Sequence, residues 1–171
     1  MSEFFGIPVA QNDKQIGWII QYIIKNDATL FVELGVYLGG LMNIMIFLKA
    51  ALPDFDYLGI DYNKDQVDSS KRCKPEFVCL NVFTEEAVRL VSDKINSARG
   101  CAVVYCDDGD KPREVLTYAP ILRPRDIIMA HDYPGEILGE FADQFNTSHP
   151  DFTELDANKR DIRGMLVWRK R

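Results

Sequence analysis

Paired cysteines are missing from this chain. Its four, Cys73, Cys79, Cys101 and Cys106, lack the C-x-x-C spacing of a zinc site. With no signal-like N-terminal pattern, they have little reason to form disulfides, and a reduced, cytoplasmic protein is expected. Long apolar runs are missing as well. Lys25, Asn26 and Asp27 interrupt the longest N-terminal one short of the roughly 20 residues that span a bilayer, so no membrane partner is expected. Positive charge is scarce: the net charge is −6, and basic residues cluster only at Arg169-Lys170-Arg171, which reads as a solvated end. That balance excludes broad nucleic-acid binding. No linker, repeat or low-complexity stretch interrupts the 171 residues, so the chain reads as one domain, 1–171, with 1–28 as an N-terminal helical segment.

Strand-like and helix-like segments alternate throughout. Ile16, Ile19, Ile20, Ile23 and Ile24 recur at helical spacing between Gln15 and Lys25, a stripe for the sheet or for a partner chain, as in a homodimer. Strands are expected at about Thr29 to Leu34, up to Asp61, at Phe77 to Leu80, at Cys101 to Cys106 and at Asp126 to Ala130. Helices are expected from Gly40 to Ala51, where Pro53 stops the turn, from the Thr84 cap to about Asn96, from Pro112 to about Ile121 and from Ile137 to Phe145. A polar segment, Lys64 to Cys73, precedes the third strand. Two last runs, Phe152 to Leu155 and Gly164 to Trp168, are close enough to pair antiparallel at a sheet edge. The near-continuous apolar run at Cys101 to Cys106 suits a parallel strand covered on both faces. The order predicts an α/β fold with a seven-stranded, mostly parallel sheet, an antiparallel edge hairpin and helices on both faces.

Within this pattern, Phe31-Val32-Glu33-Leu34-Gly35-Val36-Tyr37-Leu38-Gly39-Gly40 joins a strand to a helix through glycines. Gly35 and Gly39 permit a sharp turn and a close approach to a ligand. Asp61 ends the second strand, where a doubly wound sheet places a ribose-binding acid. The dinucleotide fingerprint G-x-G-x-x-G fails, because Tyr37 stands where its second glycine belongs. Glu33, Asp61, Asn81, Asp107, Asp108, His131 and Asp132 all follow strand ends and are expected to face one crevice. So many acids need a cation, and Asp108 with Asp132 form a candidate pair for a divalent metal such as magnesium.

The E-x-G-x-x-x-G turn with a distant Asp61 resembles the cofactor motif of class I S-adenosylmethionine-dependent methyltransferases, whose Rossmann-like sheet carries an added antiparallel strand. Asp108-Gly109-Asp110-Lys111 is similar to the D-x-D-K segment of caffeoyl-CoA O-methyltransferases and the D-x-x-K of catechol O-methyltransferase. The resemblance implies Asp108 and Asp132 as metal ligands and Lys111 as the base that deprotonates a hydroxyl acceptor. It also implies that Glu33, Gly35, Gly39, Asp61 and Asn81 face S-adenosylmethionine, with Asp107 supporting the loop among these cofactor-binding positions. Those families carry Asn after the second Asp, where this chain has Tyr133, and His131 is the expected substitute ligand or an alternative base. His131-Asp132 also resembles the pattern of sugar O-methyltransferases and of cephalosporin-hydroxylase-like proteins. Burial and a metal are expected to lower the Lys111 pKa so that it accepts a proton near neutrality. Two other readings stay open: a metal-independent N- or carboxyl-methyltransferase, and a non-catalytic cofactor-binding module. The acceptor is expected to be a small molecule.

Overall fold

The computed structural model describes residues 2–4, 6–63, 65 and 74–171, so the expected polar segment Lys64 to Cys73 lies mostly outside the described residues. The chain opens with a hairpin, β1 (Ser2–Phe4) and β2 (Ile7–Val9), followed by α1 (Asp13–Lys25), β3 (Ala28–Leu34), α2 (Gly40–Ala51), β4 (Asp56–Asp61) and β5 (Phe77–Cys79). It continues with α3 (Glu85–Ser97), β6 (Cys101–Cys106), α4 (Lys111–Tyr118), β7 (Ile127–His131) and α5 (Gly139–Ser148). It closes with β8 (Phe152–Glu154), the short α6 (Arg160–Arg163) and β9 (Met165–Lys170). The central sheet has the order β5-β4-β3-β6-β7-β9-β8. Its first five strands run parallel, whereas β9 inserts antiparallel between β7 and β8. This is the expected seven-stranded sheet with its antiparallel edge, and no helix among the described residues is long and apolar enough to cross a membrane.

Two local differences have physical reasons. Ahead of α1, Ser2–Phe4 and Ile7–Val9 pair as an antiparallel hairpin rather than a helix, with Gly6 at φ +76° between the strands and Pro8 unable to donate within a helix. The segment between β8 and β9 holds a 3-10 turn and α6, closed by Gly164 at φ +63°. Elsewhere capping sets the boundaries. Asn12 and Gln15 form a reciprocal capping box at α1, Thr84 accepts from the Ala87 N–H, and Asp110 accepts from the Arg113 N–H.

Alternate residues of each central strand feed two cores. Leu34, Ile60, Val104, Ile128 and Trp168 meet α3, α4 and α5 on one face. Phe31, Tyr57, Val103, Met129 and Val167 meet α1, α2 and the hairpin on the other. The isoleucine stripe of α1 packs here: Ile19 and Ile23 are fully buried, each worth about 1.5–3 kcal/mol by transfer, whereas Ile24 is exposed. Gly40 lets the hairpin seat, since a Cβ there would lie 2.3 Å from the Pro8 carbonyl oxygen.

Candidate functional site

The carboxyl ends of β3, β4, β6 and β7 open into one crevice of about 430 Å³, lined in part by Gly35, Tyr37, Asp61, Asp107, Asp108 and Lys111. At its floor Gly35 takes φ +89°, and an added Cβ would come within 2.5 Å of the Asp107 carbonyl oxygen and Asp108 Cα. Glycine is required there by the backbone leaving β6. Gly39, at φ +86°, is the N-cap of α2. Asp61 binds the turn between them: Oδ2 accepts from the Val36 and Tyr37 N–H groups, both at 2.9 Å, and Oδ1 accepts from Asn63 N–H at 2.8 Å. A carboxylate offers about four acceptor positions, so among the described residues one remains for a ligand hydroxyl.

Charged groups converge beside this floor. His131 Nδ1 lies 2.9 Å from Asp107 Oδ1 and 3.2 Å from Asp132 Oδ1. Lys111, 3% exposed, is hydrogen-bonded to Glu136 and places Nζ 3.3 Å from Asp132 Oδ2 and 3.7 Å from Asp107 Oδ1. Asp107, His131 and Asp132 offer ligand atoms that all lie within 4.8 Å of one another. The His131 Nε2 atom is buried with no hydrogen-bond partner. Burial alone would lower the His131 pKa, but the hydrogen bonds to Asp107 and Asp132 outweigh it and hold the imidazole up at about 9. Asp132 is drawn down to about 2, chiefly by its hydrogen bond to His131.

Two features of the cluster bear on the expected roles of Lys111 and Asp108. Burial does pull the Lys111 pKa down, but Glu136, Asp107 and Asp132 more than reverse that, so Lys111 is a firmly protonated ammonium in this arrangement. The compact oxygen and nitrogen set contains Asp107, whereas the sequence pattern singled out Asp108. The Asp108 carboxylate lines the same crevice, makes no hydrogen bond or ion pair among the described residues, and is raised by burial and by Asp61. Adjacent strand residues point to opposite faces, and the register of β6 sends Asp107 to the side of Tyr105 and His131.

The remaining expected residues stand as follows. Glu33 is buried beneath the glycine turn and accepts from the Tyr57 hydroxyl, and burial raises its pKa well above the usual carboxylate range. Asn81 is exposed, and its side-chain oxygen accepts from Phe83 N–H in the turn before α3. Glu114, fully buried in α4 and raised to about 8 by burial, accepts from the backbone N–H groups of Asp108, Gly109 and Asp110. It shapes the β6–α4 loop, and its place four residues after Asp110 was its only sequence signal.

Gln11 was not foreseen. It is 2% exposed and donates from Nε2 to Asp107 Oδ2 at 2.5 Å, across 96 residues of sequence. With Ala10 in the crevice wall, the hairpin segment becomes part of the site.

No family model matches the chain, and no curated protein matches it in sequence. Solved structures do. CmcI with magnesium and S-adenosylmethionine superposes with a TM-score of 0.71 at 14% identity, over 99% of this chain and 76% of that one. CmcI with S-adenosylhomocysteine gives 0.73 at 13% identity, over 99% and 82%. An O-methyltransferase from Bacillus cereus in complex with S-adenosylhomocysteine gives 0.59 at 13% identity, over 96% and 84%. At these identities the likeness establishes architecture: the chain has the Rossmann-like fold of these S-adenosylmethionine-binding structures.

Proposed function

We propose that this protein is an S-adenosylmethionine-dependent methyltransferase acting on a hydroxyl oxygen of a small molecule, with divalent-metal assistance. The observation that carries the reading is the strand-end crevice, in which Gly35 and Asp61 form a floor beside Asp107, His131, Asp132 and Lys111. Its lining has five carboxylates, those of Asp61, Asp107, Asp108, Asp132 and Glu136, against the single ammonium of Lys111. Such a field favours a cationic ligand, as a sulfonium is. Asp61 keeps one acceptor position for a ribose hydroxyl, and Gly35 and Gly39 hold the turn that faces it. Glu33, hydrogen-bonded to Tyr57, lies buried beneath that turn.

The donor set fits a divalent cation, since two carboxylates converge on the imidazole Nδ1 of His131, the carboxylates suiting magnesium and the nitrogen a softer ion. Asp107, Asp132 and His131 would hold it, with Asp108 alongside. A bound cation would supply a lower pKa for an acceptor hydroxyl. Lys111 is the residue placed to receive that proton at Nζ. In the arrangement described here Glu136, Asp107 and Asp132 keep it protonated against burial, so it accepts the proton only once a bound cation compensates the two aspartates and Glu136 withdraws from Nζ. Positioning supplies the remainder of the rate, because a sulfonium is already a reactive donor.

One observation favours a metal-independent alternative: Lys111 already compensates Asp107, Asp132 and Glu136 as an internal cation. Titration calorimetry with S-adenosylmethionine and S-adenosylhomocysteine, with and without magnesium, tests both readings. Stoichiometric binding that Asp61→Ala abolishes, while the variant still melts cooperatively, supports the cofactor. No binding in any condition overturns the methyltransferase reading. Transfer to a panel of hydroxyl acceptors that persists in excess chelator selects the metal-independent route.

A further inference from the structure

A second concavity lies at the other end of the sheet from the crevice. At the amino ends of β6 and β7 lies a cavity of about 450 Å³, lined by Arg99, Arg123 and Arg125 together with Asn26, Asp27 and Asp126. It gathers guanidinium groups in a chain whose net charge is −6. Arg169 reaches it from β9 by hydrogen-bonding to Asn26. The basic end Arg169-Lys170-Arg171, featureless in the sequence, is thereby brought beside a second cluster, because Arg125 N–H donates to the Lys170 carbonyl at 2.8 Å.

The roles of the arginines divide. Arg123 is structural: it donates to the Ala98 and Gly100 carbonyls at 2.9 and 2.8 Å and pairs with Asp126. Asp126 is in turn spent on Arg123 and on Ala102 N–H, so it does not compensate the others. Arg125 is different. Its backbone takes φ +78°, a conformation that side-chain-bearing residues adopt rarely and that points to function when the surroundings enforce it. Here they do: the N–H is held by Lys170, and the carbonyl accepts from Cys101 Sγ at 3.2 Å. The exposed Arg125 guanidinium has no hydrogen bond or ion pair among the described residues. Arg99 faces the same cavity with one loose partner, Asp54 at 3.7 Å, both side chains being largely exposed. Asp27 alone opposes these charges without a guanidinium of its own.

We propose that this cavity is a second binding site, for a small molecule carrying a phosphate or diphosphate group. Two uncommitted guanidinium forks suit paired phosphate oxygens, and Arg123 and Arg169 add positive field behind them. The cavity is small and concave and the chain as a whole carries a net charge of −6, which favours a small phosphorylated ligand over nucleic acid. Strand β6 runs from Cys101 in this cavity to the threshold of Asp107, so the two sites sit about 20 Å apart at opposite ends of one strand.

Calorimetric titration of sodium pyrophosphate, then of inorganic phosphate, into the full chain at constant ionic strength tests the site. Saturable binding at one site is expected, weakened roughly tenfold or more in Arg125→Gly and also reduced in Arg99→Ala. Glycine accepts φ +78° without strain, so Arg125→Gly removes the guanidinium while its melting temperature holds or rises. The crevice variant Asp61→Ala is expected to bind pyrophosphate as the unaltered chain does. Absence of saturable binding, equal affinity in Arg125→Gly and the unaltered chain, or loss in Asp61→Ala would each overturn the proposal.

Discussion

The two faces of the central sheet are built from alternate residues of the same strands, yet they end differently. Toward α3, α4 and α5, the strands finish on Leu34, Ile60, Cys106 and Ala130, all apolar and buried. Toward α1, α2 and the hairpin, the adjacent positions are Glu33 and His131, buried but polar, and the half-buried Asp107, with Gln11 and Tyr57 as partners. One face converts burial into stability through transfer and packing. The other carries the desolvation cost of ionisable groups, and those groups supply the chemistry of the crevice. Three substitutions test this division and a fourth lies outside it, beginning with the largest effect.

On the apolar face, Trp168 is fully buried, lies 4.9 Å from the Phe145 ring and donates from Nε1 to Asn146 at 2.8 Å. Trp168→Ala is expected to cost about 3–5 kcal/mol in urea unfolding while leaving cofactor affinity of the folded fraction unchanged. A loss under about 1 kcal/mol would mean that the face relaxes around the cavity and is not the close-packed half of the molecule.

On the polar face, Gln11→Ala removes a buried hydrogen bond to a carboxylate. The expected cost is about 1–3 kcal/mol, with a second effect that packing loss would not produce. Asp107, released from Gln11, reorients against His131, so the ring nitrogen shifts of His131 are expected to move in nitrogen-15 spectra. Unchanged shifts with the same destabilisation would reduce Gln11 to a structural latch.

Glu33→Gln is expected to act in the opposite sense, and with pH. A buried carboxyl whose folded pKa is raised holds its proton in the native state, whereas the unfolded chain releases it above the ordinary glutamate range. The unaltered protein therefore loses stability as pH rises from there toward the raised folded pKa. Glutamine keeps a partner for the Tyr57 hydroxyl without that penalty. Melts at pH 4 and pH 8 are expected to show the variant equal to the parent at the lower pH and more stable at the higher. A variant less stable at both would show that the carboxylate stabilises its surroundings.

The strands, the glycine turn and Asp61 were legible in sequence because each depends on neighbours in the chain: an apolar run, a missing Cβ, an acid at a run's end. Strand Cys101–Cys106 and helix Gly40–Ala51 have the expected bounds. What escaped depends on distant partners. Gln11 lies in a polar stretch before a capping box, and nothing local distinguishes it from a loop residue. The hairpin before it has strands too short to show alternation. Lys111 was expected to be a poised base from the D-x-D-K resemblance, with burial and a metal lowering its pKa; the three acids that hold it protonated here come from the loops after β6 and β7. The sequence motif singled out Asp108, and the register of β6, which turns Asp107 toward Tyr105 and His131, is not visible in it.

The smallest effect belongs to neither face. Asp56, at the start of β4, lies 2.8 Å from Lys49 Nζ and 2.9 Å from Lys94 Nζ, with all three side chains more than a third exposed. Burial would raise its pKa, but the hydrogen bonds to both lysines and to Tyr57 N–H bring it to about 2. Its contribution is therefore present above the unfolded value near 3.8 and is lost as pH falls toward 2. Solvent screening limits Asp56→Asn to about 0.5–1 kcal/mol at neutral pH, and the difference from the parent should vanish near pH 2 and shrink in high salt. A larger, salt-insensitive loss would mean that Asp56 anchors β4 through its backbone bond to Tyr57, and through Tyr57 supports Glu33. The pair would then be energetically coupled, and the double variant Asp56→Asn/Glu33→Gln would depart from additivity.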